Sequence, residues 1–136
     1  MEALEDIQNA LVSAWAADAP LALLIGEGAI FDAPPKGQQP PYVTILRHDA
    51  VPRDGDEAPG CEHRLTIHCW SPQPSRAAAI QIADRIERVA VMGALAPQDH
   101  VLTHRRHVRT ETAIDLATGR ARAAVQLRLF SEPKDN

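Results

Sequence analysis

Residues Glu62–Val91, EHRLTIHCWSPQPSRAAAIQIADRIERVAV, decide the fold. Over Glu62–Trp70 the side chains alternate. Leu65, Ile67 and Cys69 fall on one face; Arg64, Thr66, His68 and Trp70 fall on the other. A period of two over this length is a half-buried strand. Ser71-Pro72-Gln73-Pro74-Ser75 stops it, because proline cannot donate to a ladder. Ser71 and Ser75 are both candidate N-caps for the next element. From Arg76 the apolar residues recur at Ala79, Ile82, Ala83, Ile86, Val89 and Ala90, the rhythm of a helix with one buried stripe. Gly93 is its expected stop. A sheet face and a helix face that must meet nucleate a two-layer core.

Working outward, Glu2–Ala17 predicts a helix with Leu4, Ile7, Leu11 and Trp15 in its stripe and acids in its first turn. Asp18-Ala19-Pro20 ends it and caps a short second helix, Leu21–Ile25. Ile30-Phe31 reads as an apolar anchor before a stiff, proline-rich loop, Asp32–Pro41. Tyr42–Asp49 predicts a strand with Val43 and Ile45 on one face and Tyr42, Thr44, Leu46 and His48 on the other. The polar stretch Ala50–Gly60 is too long for a tight hairpin turn and reads as a functional or mobile loop.

Beyond the helix, His100–Thr112 predicts a strand with Val101, Thr103, Arg105, His107 and Arg109 on one side. Asp115–Arg120 is a turn, with Gly119 available for positive φ. Ala121–Phe130 is the last strand, its Ala123, Val125, Leu127 and Leu129 opposite Arg122, Gln126 and Arg128. Ser131–Asn136 is expected to fray. The expected fold is α+β: a single two-layer domain over residues 1–136, in the order α-α-β-β-α-β-β. Its four-stranded, largely antiparallel sheet carries helices on one face and leaves Arg, Thr, Gln and His on the other.

The net charge of −4 excludes a generic nucleic-acid binder. The charge is uneven: residues 1–40 sum to −5, and the remainder is near +1. No apolar run has the length of a membrane span. The acidic start MEALEDIQ lacks the basic segment of a signal peptide, which points to synthesis in the cytoplasm. Cys61 and Cys69 share one strand, roughly 26 Å apart at about 3.3 Å per residue, so they cannot pair with each other.

Cys61, His63, His68 and Cys69 are zinc-type ligands by kind, but not by geometry. His68 and Cys69 point to opposite faces, and His63 lies about 20 Å from Cys69 in extended chain. Only Cys61 and His63 are able to bind together, too few for a site. No nucleophile elbow, Walker loop or dinucleotide fingerprint is present. The basic run His104–Arg109 has two readings: a solvated strand with cross-strand pairs, or an electropositive surface near DNA phosphates. On the second reading its candidate DNA-facing set is Arg105, His107 and Arg109. The loop's Asp49, Arg53, Asp54, Asp56 and Glu57 form a candidate interface.

Several phrases, in order, resemble the tail-completion, or tail-terminator, family of long-tailed phages and phage-derived gene transfer agents. They are Pro41-Tyr42-Val43 entering the first strand, Trp70-Ser71 ending the next, Ile82-Ala83-Asp84 in the Ala-rich helix, and the final hairpin around DLATGRARAAVQLRL. The resemblance runs from about Leu4 to Phe130. It implies a non-enzymatic virion protein without cofactors. Such proteins form a homo-oligomeric ring, usually a hexamer, on the head-proximal end of the tail tube, with double-stranded DNA passing the lumen. The implied partners are the tube protein and a neck or stopper protein. It supplies no catalytic residues. The rival readings are another neck protein, such as a head–tail adaptor or stopper, and a small enzyme using a histidine of the polar face.

Overall fold

The computed structural model of the chain describes residues 1–53 and 59–134. Three helices, α1 (Ala3–Ala16), α2 (Ala19–Ile25) and α3 (Arg76–Met92), cover one face of a single sheet. The strands are β1 (Ile30–Phe31), β2 (Tyr42–Pro52), β3 (Cys61–Ser71), β4 (His100–Ile114) and β5 (Ala121–Pro133), in spatial order β1-β2-β3-β5-β4. The expected four-stranded sheet is therefore five-stranded and mixed. Ile30-Phe31 pairs parallel with Val43-Thr44, while the other described pairings are antiparallel. Two residues are too few to show a period, which is why this strand reads only as an anchor.

β3 and β5 pair through eleven consecutive residues, Cys61↔Ser131 to Ser71↔Ala121, without a break. Leu65, Ile67, Cys69, Val125, Leu127 and Leu129 are buried beneath α3, whose stripe Ala79, Ile82, Ala83, Ile86 and Ala90 is buried as predicted. Ser75, not Ser71, caps α3: its Oγ accepts from the Ala78 N–H at 3.3 Å, while Ser71 is itself buried. Gly93 stops the helix by close approach, not by a left-handed φ. Its φ is −72°, and a Cβ there would meet the Val89 carbonyl oxygen at 2.5 Å.

α1 docks Ile7, Leu11 and Trp15 into the core; Leu4, expected in the stripe, stays partly exposed. The Trp15 indole N–H donates to the Ile86 carbonyl at 3.0 Å. Asp18 caps α2 at the Leu21 N–H and takes a two-pronged bond from Arg85 of α3, at 2.7 and 3.0 Å. Buried Asp6 accepts from the Gln98 and Asp99 N–H groups and from His100 Nδ1. Burial alone raises its pKa; those bonds more than offset this and hold the carboxyl below its usual range. The C-terminal stretch is ordered further than expected. β5 continues to Pro133, Ser131 is buried, and the Lys134 N–H donates to the Asp99 carbonyl.

A bulge at Leu46 shifts the β2–β3 register, so His48 pairs with Leu65. One extra residue sends every later side chain of β2 to the opposite face. Strict alternation puts His48 on the polar face; it lies under α1 instead. Its Nε2 is 2.9 Å from His63 Nδ1, and its Nδ1 is 3.3 Å from Gln8 Oε1. His63 Nε2 is 2.8 Å from Ser131 Oγ. Gln8 spends its amide N–H on Asp32, so its Oε1 accepts. That fixes the direction of the whole chain: Ser131 O–H donates to His63, His63 Nδ1–H to His48, and His48 Nδ1–H to Gln8. Both imidazoles are neutral, and burial lowers each pKa from 6.5 to about 4.

The unfolded chain takes up these protons near pH 6.5 and the folded chain only near pH 4. The stabilisation is therefore complete above about 6.5 and lost as pH falls towards 4. For His63 alone this is on the order of 3 kcal/mol. Urea unfolding is expected to give a stability that falls across this window. His63→Gln should be less stable at pH 7 but show a shallower fall; an unchanged slope would contradict the neutral pair.

Candidate functional site: the uncovered sheet face

No described helix covers the other face of the sheet, and its character comes from the register. Asp49 faces Arg64 across β2–β3, Arg64 faces Arg128 across β3–β5, and Arg128 faces Arg106 across β5–β4. Three arginines thus stand side by side on adjacent strands, about 4.8 Å apart at their backbones. The next row holds Arg47, Thr66, Gln126 and Arg109. All of these except Arg109 line an open hollow of about 560 Å³, whose walls include Arg47, Arg64, Arg106 and Arg128 with Asp49 as the one carboxylate.

Glu62 lies at the foot of this row with no exposed surface. The arginine stems cover it, not the apolar core. Arg64 Nε donates to it at 2.6 Å, Arg128 Nη2 at 2.9 Å and Arg53 Nε at 3.3 Å. The bonds from Arg128 and Arg64 lower its pKa from 4.5 to about 2. The Arg128 guanidinium also sits 5.3 Å from the Phe130 ring centroid. Arg47 is paired with Asp49 at 2.6 Å and Arg109 with Glu111 at 2.6 Å. Arg106 is exposed and has no ion-pair partner among the described residues. At the β1 end of the same face, Phe31, Tyr42 and Trp70 stack in series at 6.2 and 6.4 Å, and His68 adds an edge contact to Trp70.

The DNA-facing set expected from alternation does not share a face. Bulges at Thr103 and Val108 break the β4 register. Arg105 pairs with Leu129 and His107 with Leu127, both core positions, so these two lie on the helix side. Arg105 donates to the Ala90 and Gly93 carbonyls at 3.3 and 2.7 Å, closing the end of α3. His107 Nε2 bonds Thr110 Oγ1 at 2.7 Å. Arg109 alone of the three lies on the uncovered face, where it joins Arg106, which alternation sets on the opposite side. Rows of like charge across strands were the available signal. They are illegible until the pairing is known.

The loop expected over Ala50–Gly60 is shorter, because Val51 and Pro52 still pair with Glu62 and Cys61. Asp49 is a strand residue. The Arg53 N–H donates to the Gly60 carbonyl at 2.8 Å, and a Cβ on Gly60 would meet the Arg53 carbonyl at 2.7 Å. Asp54, Asp56 and Glu57 lie outside the described residues. Cys61, His63 and Cys69 lie on the helix side and His68 on the uncovered face; burial pushes the Cys69 thiol pKa up. Among the described residues, no three His, Cys, Asp or Glu side chains converge to hold a metal. No described helix is long and apolar enough to cross a membrane.

The sequence matches the family described as Tail completion protein gp17 over residues 9–132. No curated protein sequence matches it significantly. Among solved structures, a chain of "Virion of native gene transfer agent (GTA) particle" shares the fold. Its TM-score is 0.84 at 23% identity, over 97% of this chain and 99% of that one.

Two pairs of variants test these assignments. Arg105→Ala is expected to cost about 1–3 kcal/mol by removing the donor to the Ala90 and Gly93 carbonyls, whereas Arg109→Ala should stay within about 0.5 kcal/mol. Chemical denaturation reads both; equal effects would refute the capping role. Glu62→Gln should lower the urea midpoint more than Glu111→Gln at pH 7. Because the folded pKa of Glu62 is lowered, that difference is complete above about pH 4.5 and closes towards pH 2.

Proposed function

The chain belongs to the Tail completion protein gp17 family, and on that premise we propose that it is a structural protein of a phage or phage-like tail. It acts as a terminator, a ring on the head-proximal end of the tail tube that stops tube growth and presents a surface to the neck. Double-stranded DNA passes through the lumen. The observation that carries this reading is the match over residues 9–132, nearly the whole chain. The fold it shares with a chain of the gene transfer agent virion supports a place in such a particle.

The two-layer build fits the role. A molecule with helices on one side and a bare sheet on the other has two unlike surfaces, and unlike surfaces make the head-to-tail contacts that close into rings. The site also fits a protein that does no chemistry. The nucleophile–base pair of Ser131 with His63 is sealed in the core, with Ser131 1% exposed. Of the three basic residues singled out on β4, Arg109 remains the candidate for the lumen. Arg105 is committed to α3, and His107 lies on its side of the sheet. Arg53 is the candidate contact towards tube or neck.

Electron microscopy of particles made with and without the gene tests the reading. A ring of this protein is expected where tube meets head, and particles lacking it should carry tails of uncontrolled length or no joined tails. A single copy per particle, or a position on the head side of the neck, would overturn it; the latter favours an adaptor or stopper.

A further inference from the structure

The N-terminal helical segment is acidic and the hollow of the uncovered sheet face is basic. Residues 1–35, which build α1, α2 and β1, contain six carboxylates and no Lys or Arg. Asp6, Asp18 and Asp32 are used internally, by His100, Arg85 and Gln8. Glu27 is exposed beyond α2; Glu2 and Glu5 are exposed at the start of α1, and no described side chain bonds to these two. α3 offers no such patch, because its exposed Asp84 lies among Arg76 and Arg88. On the far side of the molecule lies the hollow with Arg47, Arg64, Arg106 and Arg128.

The geometry points to a head-to-tail contact in which the arginine hollow of one copy receives the acidic start of α1, at Glu2 and Glu5, from a second copy. This rests on the ring reading and names its interface. Like charges directly opposite one another on adjacent strands destabilise a sheet, yet Arg64, Arg128 and Arg106 stand in one row. Glu62 bonds the first two from below, leaves the Arg128 Nε without a partner among the described residues, and leaves Arg106 open. Arg64 and Arg128 already hold a carboxylate, each through one charge-assisted bond to a different oxygen. A hollow of about 560 Å³ is the size that encloses a few side chains, not a duplex. The charge of −4 on the free chain also disfavours long-range attraction to DNA. Because the two surfaces lie on opposite layers, the contact cannot close within a dimer by a two-fold axis; it repeats from copy to copy.

Charge reversal on the full-length chain tests this, read by sedimentation velocity over a range of concentrations. Arg106 is exposed, so Arg106→Glu should fold normally by circular dichroism. The expectation is that Arg106→Glu alone, and Glu2→Lys with Glu5→Lys alone, each raise the association midpoint about tenfold or more. An equimolar mixture of the two variants should assemble again, because alternating copies then meet Glu with Lys and Arg with Glu at every junction. Assembly of both variants as well as wild type, or no recovery on mixing, would overturn the contact while leaving the ring intact. Loss of duplex DNA retention by Arg106→Glu rings of unaltered assembly would also overturn it, and would place the hollow on the lumen. A wild-type chain that stays monomeric throughout would overturn the ring reading and this contact together.

Discussion

The eleven-residue pairing of β3 with β5 is the constraint on which the rest depends. It runs without a bulge, so one face keeps an unbroken apolar centre of Leu65, Ile67, Cys69, Val125, Leu127 and Leu129. The small residues Ala121 and Ala123 on β5, with Ala79, Ala83 and Ala90 on α3, let helix and sheet approach closely and pack densely. β5 is also the last element in sequence and lies between β3 and β4 in space. The apolar face is therefore incomplete until the C-terminal strand arrives, which makes the fold one of long-range contacts. The strands flanking this pair are not held so strictly. β2 has one bulge and β4 has two, and each bulge re-aims the side chains beyond it.

Around that centre the helices are fixed by buried polar contacts of defined direction. Apolar packing alone tolerates sliding, because dispersion and burial are non-directional. Asp6 with His100, Asp18 with Arg85, Trp15 with the Ile86 carbonyl, and Gln8 with the His48–His63 pair each accept one geometry. They tie α1 and α2 to elements 67 to 94 residues away in sequence, except for the Gln8–His48 bond at 40. The same contacts consume nearly all the polar groups on the helix side that the sequence offers as chemistry. A histidine pair linked to a serine hydroxyl resembles a relay, but buried this deeply it serves to hold α1 in register over β2.

Alternation and helical rhythm make the two layers, the element order and the core of β3, α3 and β5 legible, because long periodic segments average over local exceptions. Most of what escapes is of one kind. Leu46, Thr103 and Val108 look like ordinary strand residues, and nothing local marks them as the extra residue of a bulge. One missed bulge inverts every assignment beyond it. Alternation points His48 outward, and it lies inward; alternation groups Arg105 and His107 with Arg109, and they lie on the far side of the sheet from it. Glu62 escapes for a different reason. Its burial is produced by Arg53, Arg64 and Arg128, which come together only when β2, β3 and β5 are in register.

The row of arginines sets the cost of the uncovered face against its use. The adjacent row shows that this sheet readily carries neutral Thr66 and Gln126 at equivalent places. Three neighbouring guanidinium groups where neutral residues would pack equally well are unfavourable by a few tenths to about 1 kcal/mol per pair. Glu62 offsets part of this, yet a single carboxylate shared among three arginines leaves positive charge in excess. A fold that needed only a solvated surface would have no reason to retain such a row. Among the described residues Arg106 has no carboxylate partner, and on the proposed contact residues 1–35, which present carboxylates with no Lys or Arg of their own, supply it from the next subunit. Charge separated between two opposite layers of one subunit is neutralised when subunits stack layer against layer. On the proposed contact, the arginine hollow of the bare sheet face is then the place where the next subunit docks.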